Sequence, residues 1–417
     1  MSAAFLLWRT FLCLAASVVL PDDKPSVRVI SRQMQFRVRQ KSMQLRFPRT
    51  YSIVLLLCAG LCVTGCGKFF VKETGGNTPT GSGNYFYVAN ATTGAVTGFS
   101  VGTSSISSTS DSPYSLGVAP SAIAVTPSGS YVYVATLAGA IYGYSVGSNG
   151  ALTLLNSGNA LITGISPIAI KVDPSGNWLV AVDLTPAAYV FSINSTSGVL
   201  TQQGNSVALD AGSPSHIAFT PNNSLFYISL GTGGVDICTF NVSSGVLTKT
   251  SQILKPKATA NADQGLAVDP GGKFLFVAET GVNAVRVLTI ATTGALTEVS
   301  GSPFATGLGP SGVMVDSTGS YVYVTNRTDG TVSGFTLAST GSLTKISGSP
   351  FSTGSQPGDL AEDTAGTHIG VACSGGTPDF QVFTIGISTS STPGALTSFA
   401  TSTASSATGA FGVVAAD

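Results

Sequence analysis

Residues 310–326 read PSGVMVDSTGSYVYVTN and hold two short extended runs around one turn. Val313 and Val315 alternate with smaller neighbours. Asp316-Ser317-Thr318-Gly319 then reverses the chain, and Tyr321-Val322-Tyr323-Val324 follows as a β-branched and aromatic run. Alternation, turn residues and aromatic enrichment together predict a β-hairpin.

The same phrase recurs. It begins at Pro120, Pro167, Pro214, Asp263, Pro310 and Pro357, at spacings of 47, 47, 49, 47 and 47 residues. Most copies are followed by a further strand, then by a Gly-x-Leu-Thr unit beginning at Gly150, Gly198, Gly245, Gly294, Gly341 or Gly394. Four strands in a unit of about 47 residues is the sequence form of a propeller blade. The ends complete the count: the segment from Asn84 reads as the second half of a unit, and the segment from Ala410 reads as a first strand alone. The expected fold is all-β, a seven-bladed β-propeller of four-stranded blades over residues 85–417. The N- and C-terminal strands close it by pairing in one blade, which removes the exposed edges of an open array.

Composition agrees. Only 9% of the 417 residues are charged and 50 are glycine, which suits strands closed by tight turns. The formal charge is zero, but 9 of the 19 basic residues lie within residues 1–66 beside only 2 of the 19 acidic ones. The remainder carries 10 basic against 17 acidic residues, which argues against a nucleic-acid partner. Cys13, Cys58, Cys62 and Cys66 precede the repeats. Cys238 and Cys373 fall in different units, so neither a disulfide nor a metal site is expected of them, and no cofactor is implied.

Residues 43–65 have the layout of a secretory signal: Arg46 and Arg49, an apolar run from Ile53 to Val63, then small residues. Val63-Thr64-Gly65-Cys66 resembles the bacterial lipobox, which implies acylation at Cys66 and anchorage in a bacterial membrane. The expected location is therefore the cell envelope, on its periplasmic or outer-membrane side. Residues 1–42 sit awkwardly ahead of such a signal: either translation starts at Met43, or Ala3–Leu20 is an additional membrane segment. Residues 67–84 are rich in Gly, Thr, Ser and Pro and read as a tether.

Tyr323-Val324-Thr325-Asn326 is the tetrapeptide that names the YVTN-repeat propellers. The wider unit resembles the lactonase-type seven-bladed propellers, which include 6-phosphogluconolactonase-like proteins and carboxymuconate cyclases. The resemblance covers nearly all of 85–417. The enzymes of that family carry a histidine in a P-R-H-x-x-F-x-P phrase, with an acidic residue after the following strand. Here residues 214–221 read PSHIAFTP. His216 is kept, Ser215 replaces the arginine, and the acidic position falls on Leu230 or Gly231.

The third position of each unit is expected near the mouth of the central channel. It holds Ala122, Ala169, His216, Gly265, Gly312 and Asp359. His216 there is a candidate general base, Lys171 a candidate oxyanion partner, and Asp359 the matching acid. Arg327, just after its strand, is a candidate anion contact, and Glu279 ends a second strand at one rim. Tyr114, Phe304 and Phe351 follow Ser-Pro in the loops leading to new blades and offer contact area to a ligand. Asp173, Asp269 and Asp316 recur before turns and read as hairpin caps rather than a metal ring. Two functions compete. One is a membrane-anchored monomer whose rigid loop face binds a small molecule or a protein. The other is a lactone hydrolase using His216. A structural array with no specific ligand is a third.

Overall fold

A computed structural model describes residues 84–257, 263–402 and 409–416. The expected signal, lipidation site and tether at 1–83 lie outside them. Among the described residues there is no α-helix, and no helix is long and apolar enough to cross a membrane.

Seven antiparallel sheets form seven blades. The inner strands are Pro120–Val125 (blade 1), Pro167–Val172 (blade 2), Ile217–Phe219 (blade 3), Asp263–Val268 (blade 4), Pro310–Val315 (blade 5), Pro357–Glu362 (blade 6) and Ala410–Ala416 (blade 7). Each touches the next, and the last touches both the first and the sixth, so the ring is closed. Closure is the expected one. Ala410–Ala416 pairs with Tyr85–Asn90, with Tyr85 opposite Ala416 and Val88 opposite Val413.

The turn chemistry behaves as read. Asp316 Oδ1 accepts the backbone N–H groups of Ser320 at 2.8 Å and Tyr321 at 2.6 Å. Asp173 Oδ1 accepts from Trp178 at 2.7 Å and Asp269 Oδ1 from Phe274 at 2.5 Å. These carboxylates cap hairpins, and no group of three or more metal-ligating side chains occurs among the described residues. Cys238 and Cys373 are free and buried.

The core is divided, not central. Seven apolar clusters each fill one junction between neighbouring blades. The repeated Gly of Gly-x-Leu-Thr has a cause in this packing. Gly150 has φ +73°, and a Cβ there would lie 2.4 Å from the Tyr85 ring of the previous blade. That turn also receives a hydroxyl: Tyr87 Oη donates to Gly150 O at 2.8 Å, Tyr133 Oη to Gly198 O at 2.9 Å and Tyr323 Oη to Gly394 O at 2.7 Å. A buried aromatic on one blade thus locks onto the glycine turn of the next.

Candidate functional site

A cavity of about 690 Å³ runs down the ring axis and is lined by the inner strands of all seven blades. Ala122, Ala169 and Gly412 at third positions and Ala218, Ala267 and Ala361 at fifth positions line it with small side chains. Four candidates from the sequence line it: His216, Lys171, Asp359 and Arg327.

His216 sits immediately before an inner strand that is only three residues long, Ile217–Phe219. Its backbone N–H donates to Ser229 Oγ at 2.9 Å, and Ser229 N–H donates back to His216 O at 3.1 Å. The backbone is thereby clipped, while the ring is not: Nδ1 is buried and has no hydrogen-bond partner. His216 lies deep in the ring with part of its surface open to the cavity. Burial is the main cause that holds its imidazole below the ordinary histidine range, the Lys171 charge acts in the same direction, and Asp359 opposes them.

Asp359 lies across the channel, on blade 6. Its Oδ1 accepts Leu360 N–H at 2.9 Å, and its Oδ2 accepts Val413 N–H of the closing strand at 3.3 Å. Burial raises this carboxyl above the usual range, against the lowering influence of His216, the two backbone donors and Lys171. His216 and Asp359 feel each other's charge although no hydrogen bond joins them. Lys171 projects from the fifth position of blade 2 and makes no ion pair with a described residue. Arg327 stands at the upper rim with two long contacts, to Gln356 Oε1 at 3.5 Å and Ser374 Oγ at 3.4 Å.

The other candidates are not brought to this site. Glu279 is fully buried within blade 4 and pairs with Arg286 at 3.4 Å. Tyr114 is 8% exposed and donates to Ser110 O at 2.6 Å. Phe304 and Phe351 pack against the clusters between blades 4 and 5 and between blades 5 and 6. Tyr114 is thus buried, while Phe304 and Phe351 are half-buried against the blades. In each Ser-Pro-aromatic loop the serine clips the third strand of the blade: Ser112, Ser302 and Ser349 Oγ accept N–H groups of Gly98, Val287 and Gly334 at 3.0, 2.9 and 2.9 Å. With the serine fastened there, the ring turns inward onto the blade.

Two lining residues escaped the sequence reading. Gln264, at the second position of blade 4, presents an amide with no hydrogen bond among the described residues. Glu362, at the sixth position of blade 6, stands where the other six copies carry Val, Phe or Ala. That column contrast was its available signal; Gln264 lies in a mixed column and had none.

Residues 80–358 match the family described as "Lactonase, 7-bladed beta-propeller". The chain belongs to the lactonase family of seven-bladed β-propellers. No curated protein sequence matches it. Among solved structures it is similar to a candidate 6-phosphogluconolactonase of Bacteroides uniformis, at 17% identity and TM-score 0.67, covering 80% of this chain and 100% of that one. A counterpart from Bacteroides fragilis gives 20% identity and TM-score 0.66, covering 81% of this chain and 99% of that one. The periplasmic gluconolactonase PpgL of Pseudomonas aeruginosa gives 14% identity and TM-score 0.65, covering 81% and 99%. At these identities the likeness is one of fold.

Proposed function

We propose that the axial cavity hydrolyses a lactone, with His216 as general base. The observation that carries this reading is the place of His216 on the wall of a cavity shared with Lys171 and Asp359; its Nδ1 is buried and unengaged, which leaves Nε2 as the nitrogen to meet a ligand. A histidine kept neutral can take a proton from water as that water attacks the ring carbonyl. The Lys171 ammonium stabilises the oxyanion that forms. Collapse breaks the ring C–O bond, and the imidazolium returns its proton to the departing alkoxide. The product is the open hydroxy acid. Asp359, across the channel, offsets the positive charge that His216 gains during the step. Family membership supports this reading.

A second reading keeps the propeller as a rigid binding scaffold. It is favoured by Ser215 and Leu230, which stand where the family's enzymes carry an arginine and an acid. In both readings the protein is held at a bacterial envelope by acylated Cys66, which the apolar run and Val63-Thr64-Gly65-Cys66 support.

Acid release from simple γ- and δ-lactones, followed by pH-stat, separates the two. Hydrolysis should fall by roughly 10²- to 10⁴-fold in His216→Ala. Its acid limb in kcat/KM should lie below the ordinary histidine range, because the free imidazole resists protonation. Turnover indifferent to His216→Ala ends this mechanism.

A further inference from the structure

In the second strand of each blade the fifth residue is small. It is Ala135 in blade 1, Val182 in blade 2, Ala278 in blade 4, Ala372 in blade 6 and Ala89 in blade 7. Blade 3 has Ser229 there, and blade 5 has Thr325. Most blades thus form without a hydroxyl at this place. In blade 3 that hydroxyl is fully buried and directed at the stretch holding His216. Ser229 Oγ accepts His216 N–H at 2.9 Å and pairs with Ser215 Oγ at 2.8 Å. Two backbone bonds run beside it, from Ser215 N–H to Ser229 O at 3.0 Å and from Ser229 N–H to His216 O at 3.1 Å. His216 lies just ahead of the inner strand, whose ladder starts at Ile217, and no hydrogen bond ties its Nδ1. What aims the ring is the backbone it grows from. In blade 5, Thr325 Oγ1 accepts Gly312 N–H at 2.7 Å, but the residue held there has no side chain to aim.

We propose that Ser229 is a positioning residue for His216, its hydroxyl fixing the backbone from which the imidazole reaches the axial cavity. The catalytic consequence rests on the preceding reading of His216; the positioning does not. Without the hydroxyl, His216 N–H loses its partner, and the peptide turns to find another. A small turn at Cα becomes a larger displacement at Nε2, and a misplacement of about 1 Å costs up to roughly 10²-fold in rate.

The test compares Ser229→Ala with Thr325→Ala in the full chain. Each removes one hydroxyl of the same column and leaves the residue most blades carry, and thermal melting confirms that it is folded. Isotope-labelled histidine is followed by NMR. The chain has two histidines, and the His216 signal is the one lost in His216→Gln. In Ser229→Ala the ring-nitrogen shifts of His216 should change, and its titration should move toward the ordinary histidine range as burial loosens. On a γ-lactone, kcat should fall roughly 10- to 100-fold with KM little altered. Ser229→Thr, which offers the hydroxyl blade 5 uses, should keep the ring signal and kcat near the wild-type values. Thr325→Ala should leave both unchanged. The ring signal is read without turnover, so it decides the inference even in a protein that hydrolyses no lactone. An unmoved ring signal in Ser229→Ala overturns the proposal, as does a displaced one in a folded Ser229→Thr. So does an equal change in Thr325→Ala, because loss of a hydroxyl in another blade would then loosen the ring as well.

Discussion

Blade 5 and blade 3 are two copies of one phrase put to different uses. In blade 5 the third position is Gly312. Its N–H donates to Thr325 Oγ1 at 2.7 Å, and Ser311 Oγ donates across the junction to Pro357 O at 3.1 Å. Tyr323 Oη locks onto the glycine turn of blade 6. In blade 3 the backbone clip survives, from His216 N–H to Ser229 Oγ. Among the described residues, the junction hydrogen bonds do not. Ser215 turns to its own blade and pairs with Ser229 Oγ at 2.8 Å, and Tyr227 Oη, the counterpart of Tyr323 Oη, is buried without a partner. The inner strand is cut to three residues. The difference teaches that the repeat specifies the blade, while departures from it make room for chemistry. Blade 3 keeps its apolar packing on blade 4 but not these hydrogen bonds, and gains an imidazole facing the channel.

Exchanging the two third-position residues tests this most severely. A Cβ at Gly312 would lie 2.6 Å from Gly358 O and 3.0 Å from Thr325 Oγ1. Gly312→His should therefore destabilise the fold by about 3 kcal/mol or more, as overpacking against backbone does. His216→Gly should cost far less, because the side chain borders open cavity. Thermal melts of the two variants check the asymmetry. Equal losses would mean that blade 3 is packed as tightly as blade 5.

The tyrosine pair gives a smaller, cleaner contrast. Tyr323→Phe leaves the buried carbonyl of Gly394 unpaired and should cost about 1–2 kcal/mol in a denaturation midpoint. Tyr227→Phe removes a hydroxyl that has no partner and should be neutral or stabilising. A loss at Tyr227 matching that at Tyr323 would show that its hydroxyl is bonded in solution.

The fold was legible because it is written seven times. The six uninterrupted copies repeat the hairpin cap, Asp in four of them, such as Asp173 and Asp316, and Thr in the other two, and the split unit at Asn84 and Ala410 announces closure. The site was legible in part. His216 and Asp359 stand out in a column of Ala and Gly, and the ring places both of them on the channel. Tyr114, Phe304 and Phe351 misled for a local reason. Their loops look like exposed connections, but the serine two residues earlier fastens to the third strand and swings the ring inward. Glu279 misled because its partner, Arg286, lies on the next strand, a contact that composition does not announce. Gln264 was hidden by its column, in which Ser, Ile, Gly and Phe also appear.

The tight junction between blades 5 and 6 should also respond to pH. Glu362 accepts from Ser317 of blade 5, yet its carboxyl is raised to about 7, with burial the largest cause. Its value in the unfolded chain is near the ordinary 4.5. The folded protein therefore holds a proton that the unfolded chain has released between those two values. Its contribution to stability is complete below about 4.5 and is lost as pH rises through about 7. Asp363, the next residue, behaves oppositely. It is lowered to about 2, its hydrogen bonds to His368, Asn84 and Thr367 together outweighing burial, the largest single influence. Its contribution is present above the ordinary 3.8 and is lost as pH falls toward 2. Melting temperatures from pH 2 to 8 should decline on the neutral side in the wild-type protein. Glu362→Gln should flatten that decline and leave the acid side unchanged, since Asp363 still titrates there. If the neutral-side slope persists in Glu362→Gln, another group carries it, and the junction between blades 5 and 6 is indifferent to pH.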